Sequence, residues 1–368
     1  VPDDEAVKAY FLPGGGGSHL IAIYGSTREG EVINDEEHLM ENLDSLFVNK
    51  PEVLTDFCKL LLKTKFSETV PSMFPTVTND ASENMGLTID MLDHKADGKY
   101  DITIANNGVV YLINEMIVPD KYRSVMAPTS EYPDMKVMGW AVQDGTKNGD
   151  YLQMDFQYFL LAMSANYAFF IPEDEAFDLY YIDPASLGHV DAVGNPAPEA
   201  LHIFFDAATK PNVKFTRDSY NPVTGEVDPT PLSGVRSVTE IRSQMQDILN
   251  YHTLVLGAGE EIGQNHYYKT KHGGEVYVDG NFENGRVMSG IQIESPDLFP
   301  APKIKWRQHQ KNGWAYRLDR VIQPPHRSVY SVLAGNPQFS EFLDVCEGFG
   351  VIELLAWAGL SDQKNPAT

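Results

Sequence analysis

Three groups of residues in this chain are of the types that acid–base or metal chemistry uses. They are Tyr251-His252, the pair His266 and His272 around Tyr267-Tyr268-Lys269-Thr270-Lys271, and the acidic run Glu173-Asp174-Glu175. Spacing argues against most of what they could do. On a strand, His266 and His272 would share a face but stand roughly 20 Å apart, too far for one metal. They are expected to be solvated strand histidines. Asp174 and Glu175 are adjacent on an expected helix, so they diverge, whereas glycosidase carboxylates must face each other across a substrate. The acidic stretches at Asp183 and Asp191 lack the Asp-x-Asp-x-Asp-Gly order of a calcium loop. Leu254-Val255-Leu256-Gly257-Ala258-Gly259 imitates a dinucleotide turn. Its step to Gly263 is one residue too long, and Glu260 and Glu261 would face the pyrophosphate. No His-Glu-x-x-His, Gly-x-Ser-x-Gly or phosphate loop occurs. The expectation is a protein that is not an enzyme, with no cofactor and no metal.

The elements that would position these residues come twice. Val1-Pro2-Asp3-Asp4-Glu5-Ala6-Val7 returns as Ile171-Pro172-Glu173-Asp174-Glu175-Ala176-Phe177. Asn107 to Pro119 returns as Asn312 to Pro324, and both run on to Arg-Ser-Val, at Arg123 and at Arg327. Phrases recurring in one order imply a duplicated domain. Ile171 follows Val1 by 170 positions and Asn312 follows Asn107 by 205, so the later copy holds about 35 extra residues. These are expected as loops at Asp183 to Ala200 and Thr216 to Val235, both rich in Pro, Gly, Asp and Ser.

Local patterns are mixed. Phe156 to Met163, Ser237 to Leu254 and Phe339 to Val345 have helical spacing, with Ser237 and Glu240 in capping-box order. Tyr167 to Ile171, Gly274 to Val278 and Trp314 to Leu318 read as strands. Pro172 followed by three carboxylates reads as a helix start, and Asn107-Gly108 and Asn312-Gly313 read as tight turns. The fold class is α+β with antiparallel sheets.

Length, 368 residues, gives two to three domains, and 42% hydrophobic content supports packed cores. The net charge of −24 disfavours nucleic acid. No apolar stretch is long enough to span a membrane. Cys58 and Cys346 are expected to be buried thiols, not a disulfide framework. Val1 already lies inside a repeated phrase, so the chain is expected to be a piece of a longer polypeptide with any anchor upstream.

The repeated phrases resemble the fasciclin domain family. Phe169 to Phe177 is similar to the family's opening strand-to-helix motif, Leu249-Asn250-Tyr251-His252 to its central Leu-x-Tyr-His segment, and Asn107 to Pro119 to its closing phrase. In the first copy Leu62-Lys63-Thr64-Lys65 stands where Tyr-His is expected. The resemblance implies a wedge of two mainly antiparallel β-sheets flanked by helices, in tandem: 1–128, 129–335 with long insertions, and 336–368 as the start of a third repeat or a helical tail. The third repeat is suggested by Asn336-Pro337-Gln338-Phe339.

The resemblance further implies cell adhesion through a protein or glycan partner, outside the cell or on a bacterial outer membrane. The Tyr251-His252 pair lies in a segment the family links to adhesion, though a buried, hydrogen-bonded His252 is the favoured reading. Asp101-Ile102 sits near a family adhesion motif, for which the second copy has Ile304-Lys305. Trp306 and Tyr268 are the aromatics expected to be displayed, whereas Trp314 is expected in the core. Alternative roles are a glycan-binding accessory lipoprotein of an outer-membrane uptake system, and a hydrolase.

Overall fold

The computed structural model describes all residues except 64–69, 79–83, 144–154, 188, 196, 222–223, 233, 264–265, 281–284, 327–328 and 351–368. The chain divides into two compact units, Val1–Tyr132 with Leu161–Met163, and Pro133–Leu160 with Ser164–Thr368.

The first unit is mainly helical. Its elements are α1 (Asp4–Phe11), α2 (Ser18–Tyr24), the short strands β1 (Thr27–Arg28) and β2 (Glu31–Val32), α3 (Leu39–Asn49), α4 (Pro51–Leu61), the hairpin β3 (Ile102–Ala105) and β4 (Gly108–Tyr111), and α5 (Ala127–Glu131). Asp3 caps α1 by accepting the Ala6 amide at 2.6 Å, a bond worth about 1 kcal/mol. Apolar residues at helical spacing bury Phe11, Leu20, Ile21, Leu46, Val53 and Phe57 in one cluster. Among the described residues this unit holds two-stranded sheets only, not the expected wedge of two sheets. Cys58 is exposed on α4, contrary to expectation, while Cys346 is buried; both are free.

The second unit begins with α6 (Lys136–Gln143), α7 (Phe156–Leu160) and β5 (Asn166–Pro172). There follow β6 (Tyr181–Ile182), β7 (Glu199–Phe205), β8 (Val213–Tyr220), β9 (Val227–Pro231) and β10 (Arg236–Ser237). Then come α8 (Arg242–Tyr251), β11 (Thr253–Leu256), β12 (His266–Lys269), β13 (Glu275–Asp279), β14 (Arg286–Met288) and α9 (Gly290–Glu294). It closes with β15 (Ile304–Gln310), β16 (Gly313–Leu318), α10 (Val329–Ala334) and α11 (Ser340–Gly348).

A four-stranded sheet, ordered β11-β5-β16-β15, and a three-stranded sheet, β12-β13-β14, share a core of Ala168, Phe170, Leu254, Val276, Val278, Tyr316 and Leu318. Pairing is antiparallel except between β5 and β16. The architecture is α+β with mostly antiparallel sheets.

Of the two stretches expected as loops, Asp183 to Ala200 lies outside the strands until Glu199 among the described residues, whereas Thr216 to Val235 holds the end of β8 and the whole of β9. β6, β7, β8, β9 and β10 form five strands, because Leu201, Ile203, Val213 and Phe215 supply a fully buried apolar face between the breakers. The expected helix from Ser237 is a 3₁₀ turn over Val238–Ile241 that runs into α8, and Leu254 is already in a strand. Ser237 accepts from Thr239 rather than forming a capping box; the capping box is at Ser289 and Gln292.

Pro172 ends β5 rather than opening a helix, and the next element is a 3₁₀ helix, Asp174–Leu179. The hairpin turns are Asn106-Asn107 and Lys311-Asn312, so each glycine opens the next strand. Gly313 has φ +130°, and a Cβ there would strike the Tyr167 carbonyl oxygen, whereas Gly108 has open space.

Each unit contains the same contact between its two repeated phrases. Pro2 bridges Ile113 in parallel, and the Asp3 amide donates to the Ile113 carbonyl at 2.9 Å. Pro172 pairs with Leu318 in parallel, and the Glu173 amide donates to the Leu318 carbonyl at 3.1 Å. The residues correspond position by position in the repeated phrases.

Candidate interaction surface

His252 follows α8 and is fully buried. Its Nδ1–H donates to the Ile248 carbonyl at 2.7 Å, and its Nε2 accepts the Ile322 amide at 3.0 Å. That pattern fixes one neutral tautomer. Burial lowers its pKa from 6.5 to about 4. The imidazole ties the end of α8 to the segment after β16 and presents nothing to solvent. Tyr251 is buried too, and burial, then the charge of Glu275, raises its pKa. His272 is no solvated strand residue. It sits in the turn after β12, with its side chain 7% exposed, 3.4 Å from Asp247 and 5.3 Å ring to ring from Tyr251.

The acidic run is also committed to the fold. Glu173 is buried, accepts from Arg317 Nε at 2.9 Å, and pairs with Lys305. Burial pushes its carboxyl up, but the hydrogen bonds from Lys305 and Arg317 outweigh that and leave it below the ordinary value. Arg317 also pairs with Asp134. Asp174 accepts the Val137 amide at 2.9 Å, and burial raises its carboxyl. The first copy has Leu112 at the position of Arg317, so Asp3 is left to cap its own helix.

Asp101 and Ile102 lie at the start of β3 in the first unit, both half-buried. Asp101 is 3.6 Å from Lys95, and Ile102 packs against Phe74, Leu92 and Ile113. Ile102 stands opposite Tyr111, as Arg307 stands opposite Tyr316, so the hairpin register equates Ile102 with Arg307 rather than with Lys305.

Strand alternation separates Tyr268 from its neighbour. Tyr268 stands opposite buried Val276 and packs on the core, with its oxygen accepting the Gly263 amide at 2.5 Å. Tyr267 faces out, 63% exposed, with its ring 4.8 Å from that of Tyr277. The alternating Val276 and Val278 are the sequence signal that would have selected Tyr267. Trp306 is half-buried in β15, opposite Arg317.

β15 is the edge strand of its sheet. In and around it, Lys303, Lys305, Arg307, His309 and Lys311 occupy alternate positions and all are exposed. Arg307 lies over the Trp314 ring at 4.3 Å, and His309 packs on that ring at 4.6 Å. Trp314 is thus only partly in the core. The edge offers cations and an aromatic face in a chain of net charge −24. Such an edge can bind acidic groups and stack on flat or sugar-like surfaces.

No helix among the described residues is long and apolar enough to cross a membrane. No family model and no curated protein matches the chain. Among solved structures, the chain is similar to a FAS1 domain pair from the insect cell adhesion molecule Fasciclin I, with 14% identity and a TM-score of 0.24. The match covers 60% of this chain and 56% of that one.

Proposed function

We propose that the chain is a non-catalytic extracellular or cell-surface interaction protein built from fasciclin-like repeats, 1–128 and 129–335, with 336–368 opening a third repeat or closing the second. The order of the repeated phrases supports this, as does the hydrogen bond that joins them in each unit, Asp3 to Ile113 and Glu173 to Leu318. The non-catalytic reading is supported by the structural bonds that occupy Glu173, Asp174 and His252.

The observation that carries the binding role is the cationic, aromatic edge of β15, with Arg307 and His309 packed on Trp314. The partner is an acidic protein segment or acidic glycan, steered by charge and held by stacking. Tandem repeats raise avidity when both engage one surface. The Tyr267–Tyr277 pair favours a second reading, a glycan-binding accessory role, since paired rings make a platform for sugar C–H faces.

The test is a glycan array with neutral and acidic glycans, run beside affinity capture from the native cell surface. Wild type should retain an acidic ligand in a salt-sensitive way, and the Lys303→Glu/Lys311→Glu variant should not. Failure of wild type to bind anything above background in both assays would remove the proposal.

A further inference from the structure

We infer that the second unit carries a pocket for a small organic carboxylate with an apolar body, separate from the β15 edge. The pocket is an open cleft with a cavity volume of about 80 Å³, below that of most ligand sites, so it suits a small ligand only partly enclosed. Its walls are Tyr180, Tyr220, Leu298 and Phe299, with the rings of Tyr220 and Phe299 6.1 Å apart.

Two backbone features shape these walls. Tyr180 adopts φ +64°, which bulky residues rarely do, where the chain turns from the 3₁₀ helix into β6. Gly225, at φ +73°, brings its loop so close that a Cβ would lie 2.7 Å from Leu298 Cδ2.

The polar groups choose the ligand. Gln323 donates to the Tyr180 carbonyl at 2.9 Å and accepts the Ile182 amide at 3.2 Å; Gln292 accepts the Ser289 amide at 3.1 Å. Both side chains are spent on the fold, so a sugar with many hydroxyls would find few partners. Arg320 differs. It is half-buried, lines the pocket, and has no ion-pair or hydrogen-bond partner among the described residues. A guanidinium with no partner among the described residues is unusual in a chain with 52 acidic and 28 basic residues. Its planar donors match a carboxylate, which would be held bidentately while its apolar body lies between the aromatic walls. Tyr220, whose hydroxyl likewise has no partner among the described residues, supplies a second donor.

The test is a calorimetric titration of the full chain with phenylacetate and octanoate, beside the uncharged phenethyl alcohol and octanol. The acids should bind saturably, roughly 10-fold or more tighter than the alcohols. Arg320→Gln should erase that preference. Leu298→Trp should fill the pocket and weaken acids and alcohols alike. Leu298 is 40% exposed and Arg320 has no partner among the described residues, so neither change should lower the unfolding temperature appreciably. No saturable acid binding, acid binding unaffected by Leu298→Trp, or an acid preference that survives Arg320→Gln would each overturn the inference. None of these outcomes bears on the β15 edge.

Discussion

His252 and Ile322 are joined by one hydrogen bond, from the Ile322 amide to the imidazole Nε2 at 3.0 Å, in a fully buried setting. The bond exists only while the ring is neutral, because a protonated Nε2 is a donor and cannot accept. The link between α8 and the end of the repeat is therefore sensitive to acid.

Burial lowers the His252 pKa from 6.5 to about 4. Between those values the unfolded chain binds a proton that the folded chain refuses. The stability held by this group is complete above pH 6.5, and is lost as pH falls toward 4 by on the order of 3 kcal/mol. Urea unfolding across that window should show the loss. His252→Asn should make the curve shallower, with His326, whose pKa burial also lowers to about 4, keeping part of the slope, and should cost about 1–3 kcal/mol at neutral pH by leaving the Ile322 amide unpaired.

Arg317 and Lys305 together neutralise buried Glu173, so Arg317→Leu should destabilise the second unit by about 1–3 kcal/mol, with Lys305 left as the carboxylate's partner. Replacing both, as Glu173→Leu/Arg317→Leu, should recover much of that. A double-mutant cycle by chemical denaturation measures the coupling, and additive costs would contradict it.

Gly313 and Gly108 are equivalent in the repeated phrases but not in space. Gly313→Ala should cost about 3 kcal/mol or more, since its φ is +130° and its Cβ would meet the Tyr167 carbonyl. Gly108→Ala should stay within about 1 kcal/mol of wild type. Thermal unfolding of the two variants separates them.

Thiol titration with a disulfide reagent should find Cys58 reactive in the native protein and Cys346 reactive only on unfolding. Two equivalents reacting at once under native conditions would contradict the burial of Cys346.

At the β15 edge, Lys303→Glu/Lys311→Glu should reduce capture of an acidic ligand and shrink its salt dependence. Both positions are exposed, so stability should shift by no more than about 0.5 kcal/mol. Tyr267→Ala should lower binding to neutral glycans if the Tyr267–Tyr277 pair is a platform.

The sequence by itself determined the duplicated phrases, the strand at Tyr167 to Ile171 and the hairpins before Gly108 and Gly313. These arise from apolar period and turn chemistry, which are written within a few neighbouring residues. It also carried the apolar face of α8 in Met245, Ile248 and Leu249. The sheet between Tyr181 and Ser237 was hidden because its strands are separated by long loops rich in Pro, Gly and Asp, and their burial depends on pairing with one another. Only the tertiary structure decided which polar groups are spent and which face outward. Glu173 reads as a helix-capping carboxylate until Arg317, 144 residues away, arrives beside it. His252 is a candidate contact until Ile322 closes over it, and Tyr267 rather than Tyr268 faces outward because β13 fixes the register. The reason is physical: a side chain's partner and its exposure are properties of chain segments brought together from afar, and neither is encoded in the residues next to it.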